Sequence, residues 1–174
     1  MKKTKNNIVS KVKKKGFSLL ELMIAVAILG IISSIAYPSY IKQVRKSKRT
    51  AAKVELMRIA QLQESFYVQN LSYAKKLNGA SSTGGLGFPA ATVTTEGGDY
   101  IIFLTSTTSN GNPCSGTATT PCVAYTLIAI RNSSSPQIYD TACVAFRLTN
   151  TGAKDAVSMT HQSYGNASVR KECW

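Results

Sequence analysis

Three sets of residues give this chain its possible chemistry: the Gly16-Phe17 junction, the carboxylate of Glu21 and four cysteines. Gly16 follows Lys13-Lys14-Lys15, and Phe17-Ser18-Leu19-Leu20-Glu21 opens onto an unbroken apolar run from Leu22 to Ile32. A cut after Gly16 would remove the lysines, keep the apolar segment and leave Phe17 with a free α-amine. Glu21 then lies at i+4, about one helical turn away. Within one molecule the amine and carboxylate are neighbours; in a packed assembly the amine of one subunit meets the carboxylate of the next. A carboxylate in a lipid-facing helix costs on the order of 2.5 to 3.5 kcal/mol, so it calls for a partner. The other reading places Glu21 at headgroup level, as an acid favoured by the helix N-terminus.

The element that must position these groups is a membrane helix. From Phe17 to Tyr37 the only charged side chain is Glu21. At about 1.5 Å per residue this segment reaches roughly 30 Å, the thickness of a bilayer core, and a helix satisfies its own backbone where no water reaches. The seven lysines of residues 1–15 favour a cytoplasmic N-terminus and export of the chain beyond the apolar segment. Ser33, Ser34 and Ala36 merge into the next helical pattern instead of forming the small-x-small site of a secretory signal. The alternative is a plain signal anchor with an incidental Gly-Phe pair.

Pro38 removes a backbone donor, which predicts a bend or loosened turn. Beyond it Ala52, Leu56, Ile59, Gln63 and Phe66 recur at spacings of four, three, four and three. This is the amphipathic period, and the helix is expected from about Phe17 to about Leu71, interrupted but not divided at Pro38. Residues 75–98 hold Gly79, Gly84, Gly85, Gly87, Pro89, Gly97 and Gly98 among serines and threonines, which reads as loop. Tyr100 to Thr105, Val123 to Arg131 and Ala142 to Thr149 read as three antiparallel strands, with a fourth short one near Ala156 to Thr160. Helix first and sheet second gives an α+β fold, the amphipathic half of the helix lying across one sheet face. The expected organisation is a leader over residues 1–16, a transmembrane or filament-core helix over 17–37, its amphipathic continuation over 38–71, and a globular antiparallel sheet domain over 72–174.

Cys114, Cys122, Cys143 and Cys173 all follow the apolar segment, as suits an oxidising compartment. Four cysteines permit three connectivities. The favoured one joins Cys114 to Cys122, closing a tight Gly/Pro-containing loop, and Cys143 to Cys173, tying the C-terminus back to a strand. Loop closure gives roughly 3 kcal/mol or more for each, less any strain. No CxxC pair occurs and His161 is the one histidine, so neither a zinc site nor a Ser/His/Asp constellation is supported. His161 is expected on a solvated loop, and Asp99, Asp140 and Asp155 at turns, where aspartate satisfies the backbone. No catalytic activity, metal or cofactor is expected; the contrary reading is an exported enzyme on a signal anchor.

Gly16-Phe17-Ser18-Leu19-Leu20-Glu21, with Gly30 inside the apolar helix and Pro38 after it, resembles the class III signal of type IV pilins and related pseudopilins. The resemblance implies cleavage after Gly16 by a prepilin peptidase, N-methylation of Phe17, and assembly through Glu21 in a helix that carries Pro38. Gln63-Glu64-Ser65-Phe66-Tyr67-Val68-Gln69-Asn70 leading to Ser72-Tyr73-Ala74, then Tyr125-Thr126-Leu127, Leu148-Thr149 with Thr151-Gly152, and the ending Cys173-Trp174 resemble the PilE-type minor pilins. The likeness departs in the long Ser/Thr/Gly/Asn loops. It implies a pilin-like fold in which the Cys143–Cys173 pair encloses the segment that resembles a disulfide-bounded surface region of pilins. It further implies a structural subunit held in the inner membrane with its C-terminal domain in the periplasm, then assembled with other pilins by an inner-membrane platform into a surface filament. Twitching motility, adhesion to surface ligands and DNA uptake are the implied uses. A minor pilin that captures DNA for natural transformation, resembling the ComP group, is the second reading. A type II secretion pseudopilin shares the N-terminus, but its major form resembles this chain less, being described with a calcium site and no disulfides.

The formal net charge is +13, of which the seven leader lysines supply seven, leaving +6 on a processed chain. Basicity alone is therefore no argument for nucleic acid. A hydrophobic fraction of 44% and a mean hydropathy of -0.04 suit one anchored domain. Lys42, Arg45, Lys46, Arg49 and Lys53 fall at helical offsets of three or four, a stripe just outside the membrane. It reads as a solvated face that also meets lipid phosphates, or as a face that pairs with acids on neighbouring subunits. Contacts to DNA are expected from Lys75, Lys76, Arg131, Lys154, Arg170 and Lys171 on the exposed domain, salt-sensitive and largely sequence-blind.

Overall fold

The computed structural model describes residues 16–174; the leader expected over residues 1–16 lies outside them apart from Gly16. The chain divides between Ile41 and Lys42 into two units. In the first, Gly16, Phe17 and Ser18 precede helix α1 (Leu19–Asn70), and every side chain from Gly16 to Tyr40 is exposed. The Ser18 carbonyl accepts the first i→i+4 bond from the Leu22 N–H at 3.1 Å. Pro38 lies inside the helix, which is not divided there. Proline removes one donor there, but its own φ is already helical.

In the second unit, Lys42–Trp174, the buried positions of α1 are Ala52, Leu56, Ile59, Gln63 and Phe66, the five of the amphipathic period. The helix stops where Leu71 turns left-handed (φ 52°), with the Asn70 amide donating back to the Phe66 carbonyl at 2.9 Å. The main sheet has five antiparallel strands in chain order: β3 (Val93–Thr94), β4 (Tyr100–Thr107), β5 (Ala124–Arg131), β6 (Ala145–Thr149) and β7 (Lys154–Val157). Its register lines up Ile102, Ala129, Phe146 and Ala156 across four strands, all fully buried. With Leu127, Tyr100 and Ala52, Leu56 and Ile59 of α1 they form one core. The opposite face carries Phe103 and Ile130, about 40% exposed.

Residues 75–98 differ from the expected loop. Strands β1 (Lys76–Asn78) and β2 (Gly85–Phe88) pair in parallel, a 3-10 turn spans Ser81–Thr83, and β3 joins the sheet edge. Glycine misled the reading here because it serves close approach: a Cβ on Gly85 would lie 2.2 Å from the Asn78 carbonyl. The fourth expected strand begins earlier, at Lys154. A seven-residue helix, α2 (Ala167–Cys173), was not signalled by any apolar period; the Asn166 side chain caps it by accepting from the Ser168 and Val169 N–H groups.

Candidate functional site

Gly16, Phe17 and Glu21 sit together at the start of α1. Glu21 is in its first turn, where the backbone N–H groups lack intrahelical partners and an acid is favoured. It accepts no hydrogen bond among the described residues. One helix, Leu19–Asn70, is long and apolar enough to cross a membrane.

The base of the second unit is built differently. The Arg49 guanidinium forks onto Asp140, Nε to one carboxylate oxygen and Nη2 to the other, both at 2.7 Å. Burial disfavours the Arg49 charge, yet the hydrogen bond and charge of Asp140 outweigh it and raise the pKa above its ordinary value. One residue earlier, Lys48 meets Asp99 at 2.7 Å, and the Ser135 hydroxyl donates to the same carboxylate. The Gln137 amide donates to Asp140 and to the Tyr100 hydroxyl, and Tyr100 is pushed well above the usual tyrosine range by burial. Asp140 and Asp99 are nearly inaccessible. Asp155 accepts from Arg147 at 3.1 Å. The turn expectation for these aspartates is thus corrected: Asp140 and Asp155 do accept from the nearby Cys143 and Ala156 N–H groups, but all three are chiefly buried partners of cations. Arg49 likewise leaves the expected solvated stripe.

The rest of the unit is tied by other means. Cys114 is bonded to Cys122 and Cys143 to Cys173, with Cα–Cα distances of 5.2 and 5.7 Å. The Cys122 N–H donates to the Ser72 hydroxyl and the Tyr73 N–H to the Cys122 carbonyl, so the first disulfide loop lies along the chain leaving α1. Tyr73 and Tyr125 both donate to the Glu64 carboxylate, at 3.3 and 3.2 Å. The Lys53 ammonium donates to the Cys173 carbonyl at 3.0 Å, at the end of α2. Its pKa is lowered by burial and then by Arg49, Lys46 and Lys154.

The six cations expected to meet DNA stand in different settings. Arg131 donates to the Asp140 carbonyl at 2.8 Å and is half-buried, so its commitment is structural. The Lys154 ammonium lies over the Trp174 ring at 5.3 Å. Lys75 is exposed beside the disulfide loop, where a Cβ added to Gly116 would lie 3.0 Å from the Lys75 backbone nitrogen, and Lys76, half-buried, begins β1. Arg170 and Lys171 are exposed in the last turn of α2. His161 is exposed, hydrogen-bonded through Nδ1 to Thr160 at 3.0 Å. A cleft of about 230 Å³ opens between α1 and β2, lined by Leu62, Phe66, Gln69 and Leu86 among others.

The prokaryotic N-terminal methylation motif matches residues 11–37. The family described as type IV minor pilin ComP, DNA uptake sequence receptor, matches residues 38–147, more than half of the chain. The chain belongs to this ComP family. It is 41% identical over 66 residues to the type IV major pilin protein PilA of Myxococcus xanthus, 38% of this chain and 30% of that protein. It is 30% identical over 67 residues to the type II secretion system core protein G of Pseudomonas aeruginosa, 38% of this chain and 47% of that protein. The chain therefore spans less than half the length of these relatives. The solved structure of a type IV pilin from Shewanella oneidensis is 19% identical, with a TM-score of 0.37 over 63% of this chain and 89% of that one.

In this ComP-family chain, Lys48, Ser135 and Gln137 are the site residues that sequence reasoning passed over. Lys48 lies off the expected cationic stripe, and nothing local marks Ser135 and Gln137 as partners for Asp99 and Asp140. The signal that could have found them was charge supply: three aspartates stand in the chain after α1, against six cations between residues 42 and 53.

Proposed function

We propose that this chain is a minor type IV pilin. The observation that carries it is the succession of a methylation motif over residues 11–37 and a ComP minor pilin match over 38–147, with the apolar helix in the first and the sheet domain in the second. The subunit is stored in the inner membrane with residues 42–174 in the periplasm. A prepilin peptidase cuts after Gly16, Phe17 is N-methylated, and the assembly platform draws the helix out of the bilayer. Lipid is exchanged for neighbouring helices, and Glu21 finds the Phe17 amine of an adjacent subunit. The role is structural, without catalysis. Quantifying the chain in sheared pili tests this: it should be present in a Gly16-cleaved form and vanish with a Gly16→Leu variant, whereas absence of the wild-type chain from pili would overturn the reading.

The second reading, a receptor for DNA during transformation, is favoured by the description of the matched family. Exposed Lys75, Lys154, Arg170 and Lys171, with half-buried Lys76, are its contacts; Arg131 is withdrawn because it serves Asp140. Gel shifts with residues 42–174 should weaken as salt rises, and each lost phosphate contact should lower the log–log slope by about 1. No shift at low salt would reject the receptor role and leave the pilin reading standing.

A further inference from the structure

We propose that Lys42, Arg45 and Lys46 form a collar that binds the phosphate headgroups of anionic lipid while the subunit is held in the membrane. This rests on the membrane-anchored reading above. Between Glu21 and Lys42 no charged side chain occurs; at about 1.5 Å per residue, the apolar stretch between them is roughly 30 Å long, the depth of the hydrocarbon layer. Glu21 and Lys42 therefore bracket the span. The three collar cations fall within roughly 8 Å of its end, in the headgroup layer.

The cations of residues 42–53 are divided by the fold. Lys48 and Arg49 turn inward onto Asp99 and Asp140, and Lys53 reaches the Cys173 carbonyl. Lys42 and Lys46 are exposed one turn apart, Arg45 is half-buried, and none of the three has an ion pair among the described residues. Positive charge on the exported side opposes the orientation that the leader lysines favour, so an unneutralised collar is costly to keep.

A second copy of the chain is a poor source of neutralising acid. Asp99, Asp140 and Asp155 are buried with their cations, and Glu55 holds Arg58. Beyond the span that leaves Glu64, whose carboxylate is occupied by the Tyr73 and Tyr125 hydroxyls, with Glu96 and Glu172, and Glu172 already sits in the field of Arg49. Lipid headgroups place phosphates at the depth where the collar lies.

The test inserts the full chain into vesicles of equal parts phosphatidylcholine and phosphatidylglycerol. Lipid carried by the protein as it leaves the bilayer is counted by native mass spectrometry. Phosphatidylglycerol should be enriched, the enrichment should fall by about fivefold for each cation removed across Lys42→Gln, Arg45→Gln and Lys46→Gln, and added salt should erase it. The double variant Lys75→Gln/Lys76→Gln should match wild type. A triple collar variant with undiminished enrichment overturns the proposal, and if that variant also fails to enter pili, the collar serves subunit pairing instead. Release of the wild-type chain from phosphatidylcholine vesicles by carbonate would overturn the anchored reading itself, and the collar with it.

Discussion

Glu21 stands exposed in the first turn of α1 with no partner among the described residues, whereas Asp140 is 2% exposed and takes both arms of the Arg49 fork at 2.7 Å. Asp140 is matched by its own chain, through a cation, an amide and a backbone N–H, so its charge is consumed in folding. Glu21 has no such supply, and the cost of placing it in lipid remains until another group meets it. A charge matched internally holds a domain together; one left unmatched reports on what the molecule joins.

The largest expected effects separate these two roles. Asp140→Ala leaves Arg49 buried and uncompensated, and breaking a buried pair in this way costs about 3 to 5 kcal/mol. Thermal unfolding of residues 42–174 should shift down by on the order of 10 °C. Glu21→Ala should leave that transition and the cleavage at Gly16 unchanged, yet strongly reduce the chain in sheared pili. Normal incorporation of the Glu21 variant, with processing intact, would break the comparison, since Glu21 would then need no partner subunit.

Next in size is a response to alkaline pH. Tyr100 and Tyr125 are buried, burial raises both above the ordinary tyrosine range, and the Glu64 carboxylate adds to the effect on Tyr125. A raised folded-state pKa means that the unfolded chain loses its protons first. Their contribution is fully present below about pH 10 and fades as pH climbs through the folded-state values. Urea midpoints measured on residues 42–174 should therefore fall from about pH 10 upward, with a shallower fall in Tyr125→Phe. A flat midpoint across that range would place these phenols in water.

The first region was legible because its signal is local. The apolar run from Leu22 to Ile32 falls inside one helix, and the α1 stripe from Ala52 to Phe66 is buried as its spacing requires. The second region was not, because its pairs join residues far apart in the chain: Lys48 meets Asp99 and Arg49 meets Asp140 across 51 and 91 positions. Helical offsets place Arg49 on a stripe but cannot say that an aspartate will reach it. Strands β1 and β2 were hidden for another reason, since Gly85 carries the usual mark of a loop while serving a close approach of two backbones.

The smallest effect distinguishes two neighbouring cations of α1. Lys48 keeps 30% of its side chain exposed and meets Asp99 by one contact, whereas Arg49 keeps 13% and meets Asp140 by two. Water and salt screen the Lys48 pair, and the Ser135 hydroxyl stays on Asp99 when the lysine is removed. A double-mutant cycle on Lys48 and Asp99 should give a coupling of about 1 kcal/mol or less, falling with added salt. The same cycle on Arg49 and Asp140 should give the larger value and respond less to salt, because its charges are shielded from counterions. Equal couplings with equal salt slopes would mean that the position of a pair along α1 sets its strength, and that burial does not.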